Sequence, residues 1–103
     1  VPDVPTFILL STLTPQGMQT LRVTPERLLE VNREVEAFGG RVLRQWALLG
    51  PYDFLTVIEA PDGESVARLS FELSARGSAT FETLPALDAE EYLNTLEGAV
   101  PRD

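Results

Sequence analysis

The spacing of hydrophobic and polar positions changes several times along the chain, and each change marks an element. Thr6 to Leu13 (TFILLSTL) is β-rich, with apolar residues on both alternation faces, the pattern of an interior strand. Thr14 to Gly17 (TPQG) carries the turn chemistry that ends it, and Thr24-Pro25 supplies an N-cap followed by proline at the first helical position. A helix follows. Leu28, Val31, Val35 and Phe38 recur there at three- and four-residue spacing, Glu26, Arg27, Glu30, Arg33, Glu34 and Glu36 fill the remaining positions, and Gly39-Gly40 closes it. Val42 to Leu49 and Phe54 to Glu59 read as an antiparallel hairpin bent at Gly50-Pro51-Tyr52-Asp53. Pro61 blocks continuation. Asp62 then caps a helix running to about Arg76, with Val66, Leu69 and Leu73 as its inward stripe and Gly77 as its stop. Ala79 to Leu84 is a fourth strand. Asp88, with Glu91 three residues on, forms a capping box that opens a short last helix ending near Gly98, and the opening VPDVP is a loose leader.

The order β-α-β-β-α-β-α predicts a single α+β domain over residues 1–103, of the ferredoxin-like or split-βαβ kind with an added C-terminal helix. Right-handed crossovers place both main helices on one face of a four-stranded antiparallel sheet. The other face is left open, yet it is apolar: Phe54 and Ile58 point one way in the third strand, and Leu55 and Val57 point the other. Such a face exceeds the patches that soluble monomers tolerate, and about 25 cal/mol per Å² of buried apolar surface favours covering it. The expectation is a homo-oligomer, at least a dimer, packed sheet to sheet as a dimeric α+β barrel.

Composition narrows the function. A chain of 103 residues, 44% hydrophobic, has the size of one domain, and at this length burial shared with a second copy adds materially to stability. Sixteen acidic residues against eight basic ones give a net charge of -8, a field that repels phosphate backbones, so nucleic acid is not an expected partner. The basic residues are all arginine, scattered from Arg22 to Arg102, with no polybasic membrane anchor. Cysteine and histidine are both absent. Their absence removes disulfides, thiolate nucleophiles, the usual general base, the usual axial haem ligand and the commonest zinc ligands. No set of carboxylates has the spacing of a metal cage, and Asp62 and Glu64 suit the helix N-terminus that favours negative charge. Neither a cofactor nor a metal is expected. Ser65, Ser70 and Ser74 lack a histidine partner for nucleophilic catalysis. The apolar run Phe7 to Leu10 is too short for a signal region or a membrane span, which gives the expectation of a soluble, cytoplasmic protein with no membrane partner.

Candidate chemistry gathers near the hairpin. The turn has a plain reading, in which Pro51 sets φ, Gly50 relaxes the strand exit and Asp53 accepts backbone N–H bonds. The functional alternative places Tyr52 and Asp53 at a cleft, where phenol and carboxylate recognise a polar ligand. Trp46 alternates with Leu48 and Val42, and Arg44 shares that face; the group is either core or subunit interface, or a cavity wall with one cation. Ser11 and Thr12 in the first strand, and Thr80, Glu82 and Thr83 in the last, are polar in otherwise apolar strands, where they either bond across strands or face a cavity. Tyr52, Asp53, Trp46, Arg44 and Glu82 are therefore the candidate ligand-binding or interface residues, and no residue is assigned a catalytic role.

Several short pieces, in order, carry a family resemblance: Thr14-x-x-Gly17, Pro25-Glu26-Arg27, Gly39-Gly40-Arg41-Val42, Gly50-x-Tyr52-Asp53, Glu59-Ala60-Pro61-Asp62 and Thr83-Leu84. Together they span nearly the whole chain, and the chain resembles the GYD-domain family of small bacterial proteins. The resemblance implies a ferredoxin-like protomer of the dimeric α+β-barrel group, with no assigned biochemical role. Here Pro51 stands between Gly50 and the Tyr-Asp pair, and Phe81-Glu82 precedes Thr83-Leu84 where smaller polar residues are expected. A similar Gly-x-Tyr-Asp hairpin occurs in effector-binding domains of leucine-responsive-type regulators, where it contributes to assembly and amino-acid binding. No helix-turn-helix precedes it here. Three functions stay open, in order of preference: a small-molecule-binding or sensing module around Tyr52 and Asp53, a structural or partner-binding oligomer, and a cofactor-independent barrel enzyme (oxygenase or isomerase) using Arg44, Trp46, Tyr52 and Glu82.

Overall fold

The computed structural model describes residues 4–99; Val1 to Asp3 of the leader and Val100 to Asp103, with Arg102 among them, lie outside the described residues. Four strands, β1 (Thr6–Leu13), β2 (Arg41–Ala47), β3 (Phe54–Glu59) and β4 (Ala79–Ala86), form one antiparallel sheet in the order β2-β3-β1-β4. Helices α1 (Pro15–Val23) and α2 (Glu30–Ala37) lie between β1 and β2, α3 (Gly63–Ala75) lies between β3 and β4, α4 (Ala89–Ala99) follows β4, and a 3-10 turn at Pro25–Leu29 leads into α2. This is the expected α+β fold with the ferredoxin-like element order.

The two alternation faces of the sheet have different fates. Phe7 and Leu9 of β1 lie opposite Ile58 and Thr56 of β3, and this face packs against Val35 of α2 and Val66, Leu69 and Leu73 of α3 to make the buried core. Ile8, Leu10, Leu55 and Val57 lie on the other face and are only partly buried, while Trp46 and Leu84 remain 46% and 44% exposed. One sheet face is thus uncovered within the chain, and it is apolar.

Four local readings need correction. Thr14 to Gly17 does not end in a turn but opens α1: the Thr14 hydroxyl caps the helix by accepting the Gly17 N–H at 3.1 Å, and Pro15 sits in its first turn. Glycine belongs there because α1 abuts the loop before β4, and a Cβ on Gly17 would stand 1.9 Å from the Ser78 carbonyl oxygen. Thr24 makes no side-chain cap, and Pro25 begins a 3-10 turn instead of a full helix. In β2 the register shifts between Val42 and Arg44, so Val42 lies opposite Ile58 on the helix side while Arg44 and Trp46 lie opposite Val57 and Leu55 on the open side. A strict alternation would have kept Val42 with them. Finally, β2 stops at Ala47 and β4 runs on to Ala86, where Pro85 is tolerated because β4 is an edge strand.

Helix α3 follows the sequence reading closely. Asp62 accepts the Ser65 N–H at 2.8 Å as N-cap, and Gly77 takes φ 78° just past the C-cap. The capping box at α4 is also present, with Asp88 accepting the Glu90 N–H at 3.2 Å and Glu91 reaching back to the Asp88 N–H at 3.4 Å. Tyr92, Leu93 and Leu96 of α4 are nevertheless 53%, 55% and 44% exposed. The radius of gyration is 16.0 Å, against about 13 Å for a compact chain of this length.

Candidate functional site

The β2–β3 hairpin carries Arg44, Trp46, Tyr52 and Asp53, and the fifth candidate, Glu82, lies on β4. Gly50 adopts φ 121°, which bends the chain out of β2. Asp53 then fastens the bend to the end of β1. Its Oδ2 accepts the Leu13 N–H at 2.7 Å, its own N–H donates to the Ser11 carbonyl at 2.8 Å, and its carbonyl accepts the Leu48 N–H at 2.8 Å. The Thr12 hydroxyl adds a longer bond, 3.4 Å, to the Pro51 carbonyl. The carboxylate is therefore engaged with backbone and is the clip of the turn.

Tyr52 does something different. Its phenol donates to Glu82 Oε2 at 3.0 Å, and Glu82 lies opposite Leu10 on the open face of β4. The side chain thus reaches from the β2–β3 hairpin past β1 to the far edge strand. The bond to Glu82, reinforced by its negative charge, holds the phenol above the ordinary tyrosine range, because ionising it would place two anions side by side. On the opposite edge the Arg44 guanidinium stacks 5.6 Å from the centre of the Trp46 ring, within cation–π reach. The open face accordingly carries an acid–phenol pair on one edge and a cation–indole pair on the other, separated by Ile8, Leu10, Leu55 and Val57. Arg44, Trp46, Tyr52 and Glu82 share one face but form two groups, and Asp53 joins neither.

A second concavity lies on the helix side, between α1, α2 and the sheet. It encloses about 80 Å³, and Ser11, Gln45 and Thr56 of the sheet and Arg27, Glu30 and Arg76 are among its polar lining residues beside Leu28, Phe54 and Phe81. The sequence reading singled out Ser11, but it did not place Gln45, Thr56, Arg27 or Arg76 beside it. The available signal was one polar residue in an otherwise apolar alternation, Ser11 after Phe7 and Leu9 in β1 and Thr56 between Phe54 and Ile58 in β3. Among the described residues no group of three or more acidic residues could hold a metal ion, and no helix is long and apolar enough to cross a membrane.

A family model for the GYD domain matches residues 7–96, from the start of β1 into α4. The chain belongs to the GYD domain family. It is also similar to a protein of Thermus thermophilus named glutamine synthetase and cystathionine beta-lyase binding protein, with 50% identity over 95 residues, which cover 91% of this chain and all of that relative. In this GYD domain the neighbouring Tyr52 and Asp53 have separate duties: the aspartate secures the turn, and the tyrosine crosses the open face.

Proposed function

We propose that this GYD domain is a protein-binding module that docks on metabolic enzymes, and that it acts as an oligomer closed through the open sheet face. The observation that carries the reading is the 50% identity with a relative whose name states that it binds glutamine synthetase and cystathionine beta-lyase, over that relative's whole length. The surface chemistry supports it. Trp46 and Leu84 on the sheet, and Tyr92, Leu93 and Leu96 on α4, are large apolar side chains exposed in the single chain, more than an isolated domain of this size needs. Trp46, Tyr52 and Arg44 are residue types that dominate protein interfaces, and with Glu82 they flank an apolar centre in the manner of a polar rim. In this reading Arg44, Trp46, Tyr52 and Glu82 are interface residues, and Asp53 positions Tyr52.

The test is direct. The purified chain is immobilised, and glutamine synthetase and cystathionine beta-lyase from the same organism are passed over it separately. Saturable binding of either enzyme is the expected result, and absence of binding to both removes the proposal.

A further inference from the structure

The charges on the strands of the open face are Arg41, Arg44, Glu59 and Glu82, and their arrangement decides how a second copy can meet it. Arg41 and Glu59 cancel each other, paired at 3.0 Å. The remaining two lie on opposite edges of the sheet. Arg44 on β2 has no ion pair among the described residues, only its contact with the Trp46 ring. Glu82 on β4 is bonded to the Tyr52 phenol, a neutral group that leaves the carboxylate charge uncompensated. With β3 and β1 between them, the two edges stand three strand spacings apart, about 14 Å, too far for an ion pair within the chain.

Strand register brings these charges to one level. Trp46 lies opposite Leu55, Leu55 opposite Leu10 and Leu10 opposite Glu82, so Trp46 and Glu82 share a row across the sheet. Arg44 belongs to the neighbouring row of Val57, Ile8 and Leu84, but its guanidinium sits 5.6 Å from the centre of the Trp46 ring and is thereby drawn toward the Glu82 row. Two copies stacked face to face are related by a two-fold axis lying between the sheets, and aligned packing gives that axis two directions. An axis across the strands sets the Arg44 edge against itself and the Glu82 edge against itself. An axis along the strands sets the β2 edge of each copy on the β4 edge of the other and preserves the rows, so the cation of one copy faces the anion of the other. The first arrangement leaves like charges together at an apolar seam, and the second neutralises both. Facing sheets lie about 10 Å apart, a gap that an arginine and a glutamate pointing at each other bridge.

We propose that two copies close the open face with the two-fold axis along the strands, Arg44 of each copy pairing with Glu82 of the other, so that each Tyr52–Glu82 pair is completed by a cation from the partner chain. This rests on the open face being the oligomer seam, and it adds the direction of the axis and the residues that set it. The apolar rows supply the attraction, and the charges choose the arrangement.

The chain contains no lysine, which permits a direct test. Arg44→Lys introduces the only side-chain amine, and a zero-length carbodiimide reagent joins an amine to a carboxylate only where the two touch. The expected product has twice the chain mass and, by mass spectrometry of its peptides, links position 44 of one copy to Glu82 of the other. Sedimentation gives the second arm. Arg44→Glu and Glu82→Arg are each expected to weaken the dimer at least about tenfold, and the double charge swap to restore it to within about threefold of the unsubstituted protein. Absence of the double-mass product, a product joined only through other carboxylates, single variants that leave the dimer unchanged, or a double swap no tighter than the singles would each overturn the proposal. If Leu84→Lys dissociates the oligomer while Arg44→Glu does not, the sheet face is the seam and only the axis is wrong. If neither dissociates it, the seam reading falls as well.

Discussion

Asp53 and Tyr52 show how adjacent residues divide structural and chemical work. The Asp53 carboxylate receives a backbone N–H from β1 at 2.7 Å in a partly buried setting, so removing it strands the Leu13 N–H at the sheet end. Asp53→Ala is expected to cost about 1–3 kcal/mol, read as a lower urea midpoint, and Asp53→Asn less, because an amide oxygen still accepts. For Tyr52 the expected signature is spectroscopic. In a Tyr92→Phe background the only phenol left is Tyr52, and its absorbance change should fall above the ordinary value of about 10 and move down in Glu82→Gln. A raised folded-state value means that the stabilisation from this bond is complete below the ordinary tyrosine value. It is lost as pH rises through the folded one. A titration unchanged by Glu82→Gln would mean that the two groups are not coupled. The turn role of Asp53 was legible from Pro51 and the acceptor chemistry of aspartate. The reach of Tyr52 to Glu82 was not, since it depends on strand order, which places a residue thirty positions away within hydrogen-bonding distance.

Among the elements, α3 was readable because every signal agreed: Asp62 at the cap, Val66, Leu69 and Leu73 at helical spacing, and Gly77 at the stop. Helix α1 was not, because Gly17 in its first turn counts against a helix in local propensity. Its reason is tertiary. The helix start packs on the loop before β4, with the Thr14 hydroxyl donating to the Gly77 carbonyl at 2.7 Å and the Thr14 N–H donating to the Ser78 carbonyl at 3.0 Å. Gly17→Ala, which would raise propensity in an isolated helix, should therefore destabilise this protein by about 1–3 kcal/mol or more, because the added methyl meets backbone and not a movable side chain. A thermal melt equal to or above that of the unsubstituted protein would contradict this packing. Asp62 gives α3 a pH dependence of the opposite kind to Tyr52. The N–H bond from Ser65 lowers its carboxyl below the ordinary aspartate range, so its contribution is present above that range and fades as pH falls through the lowered value. Asp62→Asn should flatten the acid limb of the stability curve, and an unchanged limb would assign the acid sensitivity elsewhere.

For the whole molecule, the sequence forecast an apolar second sheet face, and the structure provides one. What the alternation pattern could not forecast is its composition, because the bulge at Leu43 removes Val42 from that face and leaves Arg44 and Trp46 at its edge. The chain contains a single tryptophan, so this edge reports on itself. If two copies close the face, the Trp46 indole, 46% exposed in one chain, passes into an apolar contact. Its emission should then shift to the blue as protein concentration rises, in step with sedimentation at no less than twice the 11.3 kDa chain mass. Leu84→Lys offers the sharper discrimination. Leu84 is 44% exposed on the open face, so a lysine there is tolerable in one chain but leaves an unpaired charge between two packed sheets. The variant is expected to sediment as a monomer, keep its far-ultraviolet circular dichroism and show red-shifted Trp46 emission. An unsubstituted protein that sediments as a monomer, or a Leu84→Lys variant that stays oligomeric, would rule out the sheet face as the seam. Enzyme docking through the oligomer should then weaken with Leu84→Lys.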